Sequence, residues 1–397
     1  MIERQIIIDK NIFYSFFFQG PRKAGKSTYL HKAFPNSIYI DLLNTATVDR
    51  YTKDPHLITV DLLAKQEKGE IHGPVIIDEI QVIPKLLNEV HWLIENAKIN
   101  FILCGSSARK LSHASVNMLG GRAELKRCFP LTYNELKNSE VGFDLLKVMQ
   151  RGLIPSIYLN DKRYKPELKA YISVYLKNEI KNEAKVQKLN AFIDFLDSVA
   201  YSNGKLINYS NIARDSGVSS VTVKSYYEIL IDTLLGTFCY PFNKSNKRSV
   251  ISSTPKFYLF DVGIANSLAN KKIEHIDNSN AGKSFEHFLY LEILAYINYR
   301  EKFVEIHYWR TKSGIEVDFI ITEGNKPITA IECKLTKNIK QKDLRGLKTF
   351  ADEFPLEKLY VVSQDEHSML FKTEKDTKIM AEHYTTFLEN LWNDKIF

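Results

Sequence analysis

The sequence predicts an α/β protein of several domains, and three observations carry that expectation. From residue 1 to residue 130, short apolar runs alternate with longer polar, helix-like segments; a glycine-rich loop follows the first run; and residues 283–397 alternate helix and strand patterns again. Continuous apolar runs are what a parallel sheet covered on both faces requires, because both sides of each strand are buried. The length, 397 residues, exceeds the roughly 250 to 300 at which a single core stops growing, so about two to four domains are expected.

Taken in order, Phe13 to Phe18, Ile38 to Ile40, Val75 to Ile77 and Phe101 to Leu103 are the predicted strands of a first domain, residues 1–130. Residues 131–265 read as mostly helical, with a connector at 131–185 and a second unit at 186–265; residues 266–397 form the third. Within that third unit, 283–397 reads as a helix, three strands, a helix and another strand. Stretches 241–256 and 270–283, rich in Lys, Asn and Ser, read as wings or linkers.

Composition narrows the class. Formal net charge is +7, from 54 Lys and Arg against 47 Asp and Glu, a mild excess that suits a polyanionic partner. Cys104, Cys128, Cys239 and Cys333 lie far apart with no CxxC pair, which argues against a zinc cage and against a disulfide framework. "MIERQIII" lacks the layout of a signal peptide, and the longest apolar stretch, Phe288 to Ile297, is broken by Glu292 and too short to span a bilayer. A cytoplasmic location with reduced thiols is expected.

"FFFQGPRKAGKSTYL" holds Gly20, Gly25, Lys26 and Ser27 in the spacing GxxxxGKS, after an apolar strand and before a helical segment. Glycines let backbone N–H groups curl around phosphates, and the helix N-terminus adds partial positive charge. The binding loop is therefore Gly20, Pro21, Arg22, Lys23, Ala24, Gly25, Lys26, Ser27 and Thr28, with Lys26 reaching the β and γ phosphates of ATP and Ser27 ligating Mg2+. In "GPVIIDEIQ" a strand ends on Asp78 and Glu79. Asp78 is placed to hold the Mg2+ shell, and Glu79 to orient and deprotonate the attacking water. Ser106 or Ser107, after the strand in "FILCGSSARKL", can bring a hydroxyl to the γ phosphate. Arg122, after Gly120 and Gly121, is either a finger completing a neighbouring subunit's site in a homo-oligomer or a solvated loop arginine.

"NYSNIARDSGVSSVTVKSYYEILIDTLLG" has the outline of a helix-turn-helix: Tyr209, Ile212 and Ala213 in one helix, Gly217 in the turn, Ser219 as cap, and Val223, Tyr226, Tyr227, Leu230 and Leu234 as the second helix's apolar stripe. Its outward residues Ser220, Thr222, Lys224, Ser225 and Glu228 carry one charge of each sign. Lys244, Lys247 and Arg248 in the next segment are better phosphate contacts on DNA.

"IEVDFIITEGNKPITAIECKL" reads as a hairpin. Alternation puts Val317, Phe319 and Ile321 on one face and Asp318 on the other, and sets Glu332 and Lys334 opposite the apolar Ile331, Cys333 and Leu335. A three-residue loop, Gly324 to Lys326, would oppose Asp318 to Glu332 and Glu316 to Lys334. Two facing carboxylates repel unless a cation lies between them, and hard oxygen ligands suit Mg2+ or Mn2+. Lys334 would then sit beside the metal, placed to orient or activate water or to stabilise charge on a phosphodiester undergoing cleavage. Upstream, the almost wholly apolar helix pattern of "GKSFEHFLYLEILAYIN" carries Glu286 and Glu292, which spacing alone does not distinguish.

GPRKAGKS, VIIDEIQ, LCGSSARKL, LGGR, "FPLTYNEL", "RGLIPSIYL", "PKFYLFDVGI", "FEHFLYLEIL" and "GIEVDFI…IECK" occur in this order over nearly the whole chain. In this combination the chain resembles bacterial and archaeal AAA-type ATPases with a C-terminal domain of unknown function. The resemblance implies an AAA-type P-loop ATPase core, a helical winged-helix middle and a C-terminal α/β, restriction-endonuclease-like domain of the PD-(D/E)xK kind. It also implies Glu286 as the helix glutamate that accompanies Asp318, Glu332 and Lys334. The resemblance supplies no biological role; the residues themselves lead to the expectation of ATP hydrolysis whose nucleotide state controls a winged helix and a nuclease-like domain that acts on DNA. The alternative is a nucleotide-dependent switch that binds protein partners and does not cut.

Overall fold

The structure, a computed structural model, describes residues 2–8, 14–106, 123–176, 189–243, 254–277 and 281–397. The first apolar runs form β1 (Ser15–Gln19), β2 (Tyr39–Asp41), β3 (Val75–Asp78) and β4 (Phe101–Gly105), joined by β5 (Ala123–Arg127). These make one sheet in the order β2-β3-β4-β1-β5, every pairing parallel. Successive side chains serve opposite faces: Phe16 and Phe18 pack in one apolar cluster and Phe17 in another, which is why the runs are unbroken. The parallel order brings the C-terminal ends of β1, β3 and β4 to a single edge, where such sheets bind ligands.

In the middle region, helices Leu189–Tyr201, Tyr209–Asp215 and Ser220–Asp232 precede an antiparallel pair, β6 (Gly236–Pro241) and β7 (Lys256–Leu259). Ser219 caps the third helix, its Oγ accepting from Thr222 N at 3.1 Å. The turn before it carries Gly217 at φ 63°. Val223, Tyr226, Tyr227 and Leu230 are buried as the spacing predicts, whereas Leu234 lies beyond the helix, which ends at Asp232 and turns through a left-handed φ of 60° at Leu234, leaving it only partly buried.

The pair β6–β7 is also the end of a second sheet. Its order is β12-β13-β11-β10-β9-β8-β6-β7, built with β8 (Glu305–Arg310), β9 (Glu316–Glu323), β10 (Lys326–Lys334), β11 (Lys358–Ser363), β12 (Met369–Lys372) and β13 (Lys378–His383). Helices Ala281–Tyr299 and Tyr384–Trp392 cover one face, and helix Arg345–Glu353 the other. Sequence reading places one strand after helix Arg345–Glu353; there are three, followed by a helix. β12 was not legible because its alternate residues are exposed and it lies at the sheet's edge.

The hairpin β9–β10 corrects three expectations. The turn has two residues, Gly324 and Asn325, since Glu323 pairs with Lys326; Gly324 at φ 57° takes the first turn position. A bulge between Pro327 and Thr329 then shifts the register, so that Ile331 opposes Phe319 and the strands converge on the facing predicted from a three-residue loop. A second shift lies in β9: Trp309 pairs with Val317 but His307 with Ile320, which inserts one extra residue at Asp318–Phe319. Val317 therefore packs with Ile320 in one cluster, while Phe319 and Ile321 pack in the other. The predicted shared face of Val317, Phe319 and Ile321 breaks at Asp318. Beyond it Glu316 meets Lys256 and Arg310 instead of Lys334.

Of the two glutamates on helix Ala281–Tyr299, Glu292 is buried among apolar groups, accepting from Tyr133 N at 2.7 Å and Trp392 Nε1 at 3.1 Å. Burial pushes its carboxyl up to about 8, against the pull of these two donors. The folded chain thus keeps a proton that the unfolded chain releases near pH 4.5. Folded binds more protons than unfolded across that interval, so stability falls as pH rises from about 4.5 to 8. Glu292→Gln is expected to shrink the stability difference between pH 5 and pH 8, read by chemical denaturation, by roughly 1–3 kcal/mol. An unchanged difference would assign the dependence to other groups.

Candidate functional site

Two groups of polar side chains stand out, one on each sheet. At the first sheet's edge, helix Lys26–Ala33 begins directly after Gly25, whose φ of 94° is the left-handed conformation that favours glycine. A Cβ on Gly20 would lie 2.2 Å from the backbone carbonyl oxygen of Cys128, so the loop is closely packed against β5's continuation. Lys26 Nζ donates to Gly20 O at 2.7 Å and Pro21 O at 3.0 Å, which holds the ammonium inside the curl of the loop. Ser27 Oγ donates to Asp78 Oδ2 at 2.7 Å, joining loop and strand end. Ala24 is buried, whereas Lys23 and Thr28 are exposed.

Glu79 follows at φ 57°, a left-handed backbone uncommon outside glycine and concentrated at functional positions. Its Oε2 accepts from the Gln81 side-chain amide and lies 3.4 Å from Ser106 Oγ. Sequence reasoning assigned no part to three residues here. Gln81, two positions after Glu79 in the quoted motif, holds that carboxylate; Tyr39 donates its hydroxyl to Asp78 Oδ2; and Arg4 donates to Ala24 O at 2.7 Å while pairing with Glu135. Beside the loop a cavity of about 470 Å3 opens, bounded by Gly25 and Thr28 and walled by Ile2, Ile6, Tyr29, Leu131 and Pro155.

In the second group the structure brings Glu286, Asp318, Glu332 and Lys334 together, and adds Lys256, Lys283, Tyr258 and Glu316. Glu286 is buried and accepts from Tyr258 OH at 2.7 Å, Lys256 Nζ at 3.1 Å and Lys283. Asp318 Oδ2 accepts from Cys333 N at 2.9 Å, and Glu332 Oε1 pairs with Lys334. Glu332 Oε2 is buried with no hydrogen-bond partner. Burial, with the neighbouring carboxylate second, pushes Asp318 up to about 6 and Glu332 up to about 8. An orphaned carboxylate oxygen beside a second carboxylate fits one divalent cation held by Asp318 and Glu332. Glu286, saturated by three donors, does not extend that set, and among the described residues no group of three acidic, His or Cys side chains forms a metal cage.

Lys224 is exposed on helix Ser220–Asp232, with its ammonium 5.4 Å from the Tyr209 ring. Ser107, Arg122, Lys244, Lys247 and Arg248 lie outside the described residues. Among those described, no helix is long and apolar enough to cross a membrane.

Residues 14–137, which carry this loop geometry, match the family model described as an AAA domain. Residues 142–274 and 281–381 match two further models, each described as a domain of unknown function, DUF8612 and DUF4143. An uncharacterized protein of Haemophilus influenzae is 23% identical over 350 residues, covering 81% of this chain and 83% of that one. Among solved structures, the chain is similar to the Walker-type ATPase of Pyrococcus abyssi (16% identity, TM-score 0.42, 64% of this chain and 90% of that one). It is also similar to the Aeropyrum pernix ORC2 protein (13%, TM-score 0.40, 66% and 87%). Both scores lie below 0.5, and the chain's own residues carry the functional reading.

Proposed function

We propose that the chain binds ATP with Mg2+ at the loop edge and hydrolyses it, and that the nucleotide state controls the middle region and a nuclease-like C-terminal site acting on DNA. The observation that carries the reading is the 2.7 Å bond from Ser27 Oγ to Asp78 Oδ2 beside the Lys26 ammonium. A hydroxyl, a carboxylate and a cation then converge where a helix begins, which is the donor set for a magnesium-bound polyphosphate. Ser27 and Asp78 would hold the ion, whose charge offsets that of the phosphates. Lys26 binds the phosphate oxygens, Glu79 takes the proton of the attacking water, and Gln81 and Ser106 orient Glu79. The apolar cavity beside Gly25 and Thr28 accepts the nucleoside.

Control of the other regions rests on contacts that leave the loop itself. Arg22 O accepts from Tyr171 OH of the middle region at 3.1 Å. Arg4, which holds Ala24 O, also reaches Tyr299 OH at 3.1 Å, at the end of the helix that carries Glu286. Three helices followed by an antiparallel pair are read as a winged helix, with Lys224, Lys244, Lys247 and Arg248 facing DNA phosphates and Arg122 serving a neighbouring subunit. Lys26→Ala is expected to weaken ATP binding about 100-fold by calorimetry, the loss of a charge-assisted phosphate contact. ATP bound as tightly by the variant as by the natural chain would refute the loop assignment.

A second reading, a nucleotide switch for protein partners with a C-terminal site that does not cut, is favoured by the lysines that already neutralise the carboxylates there. DNA affinity that falls steeply with salt separates the two, because phosphate contacts release counterions.

A further inference from the structure

Lys256 is the most enclosed charge of the C-terminal cluster, 1% exposed. It enters from β7, and its ammonium lies 2.6 Å from Glu316 Oε1, 3.1 Å from Glu286 Oε1 and 4.0 Å from Asp318 Oδ1. An ammonium so deeply buried persists only when paired and hydrogen-bonded. Following each carboxylate oxygen shows what the pairing does. Both oxygens of Glu286 are taken, by Lys256 and Tyr258 on one and Lys283 on the other. Both oxygens of Glu316 are taken, by Lys256 and by Arg310 at 3.0 Å. Asp318 Oδ2 is used by Cys333 N and Glu332 Oε1 by Lys334. Glu332 Oε2 is left without a hydrogen-bond partner, and Asp318 Oδ1 has Lys256 only at 4.0 Å.

We infer that Lys256 is the fixed cation of this cluster: by occupying Glu286 and Glu316 it confines any divalent ion to Asp318 and Glu332, and it acts as a positioning residue, not a ligand. The inference rests on the C-terminal metal site proposed above. Its reason is electrostatic. Four carboxylates, Glu286, Glu316, Asp318 and Glu332, face four cations, Lys256, Lys283, Lys334 and Arg310, and of these only Lys256 touches more than one carboxylate within 3.1 Å. Without it, the buried Glu286 and the half-buried Glu316 lose their shared donor, and a hard divalent ion is the natural replacement.

Manganese titration followed by electron paramagnetic resonance tests this in nucleotide-free full chain carrying Asp78→Ala, so that the loop edge does not bind the ion. With Lys256 present, a single bound equivalent is expected. Lys256→Met should tighten manganese binding about tenfold or add an equivalent, the size of effect seen when groups around metal ligands change, whereas Lys256→Arg should behave like its parent. Two equivalents with Lys256 in place, or no gain in Lys256→Met, would overturn the inference. Because Lys256→Met can unfold the chain, Glu286→Gln provides an independent arm: affinity held within about threefold supports a non-ligand Glu286, and a loss beyond about tenfold overturns it. Manganese bound only by Lys256→Met would support Lys256 as the resident cation and sink the natural metal site.

Discussion

Glu79→Gln is expected to lower ATP turnover by about 100- to 10,000-fold while leaving ATP affinity within about threefold. The carboxamide keeps the shape and the contact to Ser106 but cannot accept a proton from water. The backbone argues in the same direction. A glutamate at φ 57° pays a conformational cost that many other residues would pay equally, so its presence there is explained by what the side chain does. Its Oε2 is engaged by Gln81 and approached by Ser106, which fixes one oxygen and leaves Oε1 to act on a water. Gln81→Ala should therefore reduce turnover less than Glu79→Gln, since it loosens the base without removing it. Single-turnover hydrolysis with separately measured ATP affinity decides. A variant at position 79 that turns over normally would move the general base elsewhere, and one that loses affinity in parallel would make Glu79 a binding residue.

The loop and the strand end at Asp78 were legible because short-range geometry dictates them: a phosphate cradle needs glycines at fixed spacing, and a parallel strand must deliver its acid at the end of an apolar run. Gln81 was visible in the same motif, but nothing in the spacing showed that its amide turns back to Glu79. The C-terminal hairpin shows a different limit. Strict alternation assigned Glu332 and Lys334 correctly to one neighbourhood, yet failed at Asp318, where one extra residue in β9 reverses the faces. A bulge costs a single residue and has no fixed sequence signature. A shorter turn and a bulge in β10 offset each other, so that Thr329 to Ile331 return to the register predicted from a three-residue loop. Lys256 was missed for a third reason. It stands alone in the apolar run Pro255 to Phe260, the signal that drew attention to Glu286, but its partners lie 30 and 60 residues away, beyond any local pattern.

Mg2+ or Mn2+ is expected to raise the melting temperature of the nucleotide-free protein, and Glu332→Ala to abolish that rise together with any phosphodiester cleavage, leaving ATP turnover intact. Glu332 Oε2, which has no hydrogen-bond partner, and the neighbouring Asp318 sit in a buried site, where an unsatisfied carboxylate oxygen is expensive. An ion that binds only the folded site stabilises it by mass action, about 2.7 kcal/mol at 100 times its dissociation constant. Alanine at 332 removes one of the two proposed ligands and also the partner of Lys334, so it tests binding and chemistry at once; Glu332→Gln keeps the volume and guards against a simple packing defect. ATP turnover should not follow, because Lys26, Ser27, Asp78 and Glu79 occupy the other sheet's edge. The assay pairs thermal melts with incubation of double- and single-stranded DNA and RNA, with and without ATP. A melting shift retained by Glu332→Ala refutes the ligand assignment. Metal-loaded natural protein that cuts none of these substrates refutes cleavage and leaves the nucleotide switch as the reading the site supports.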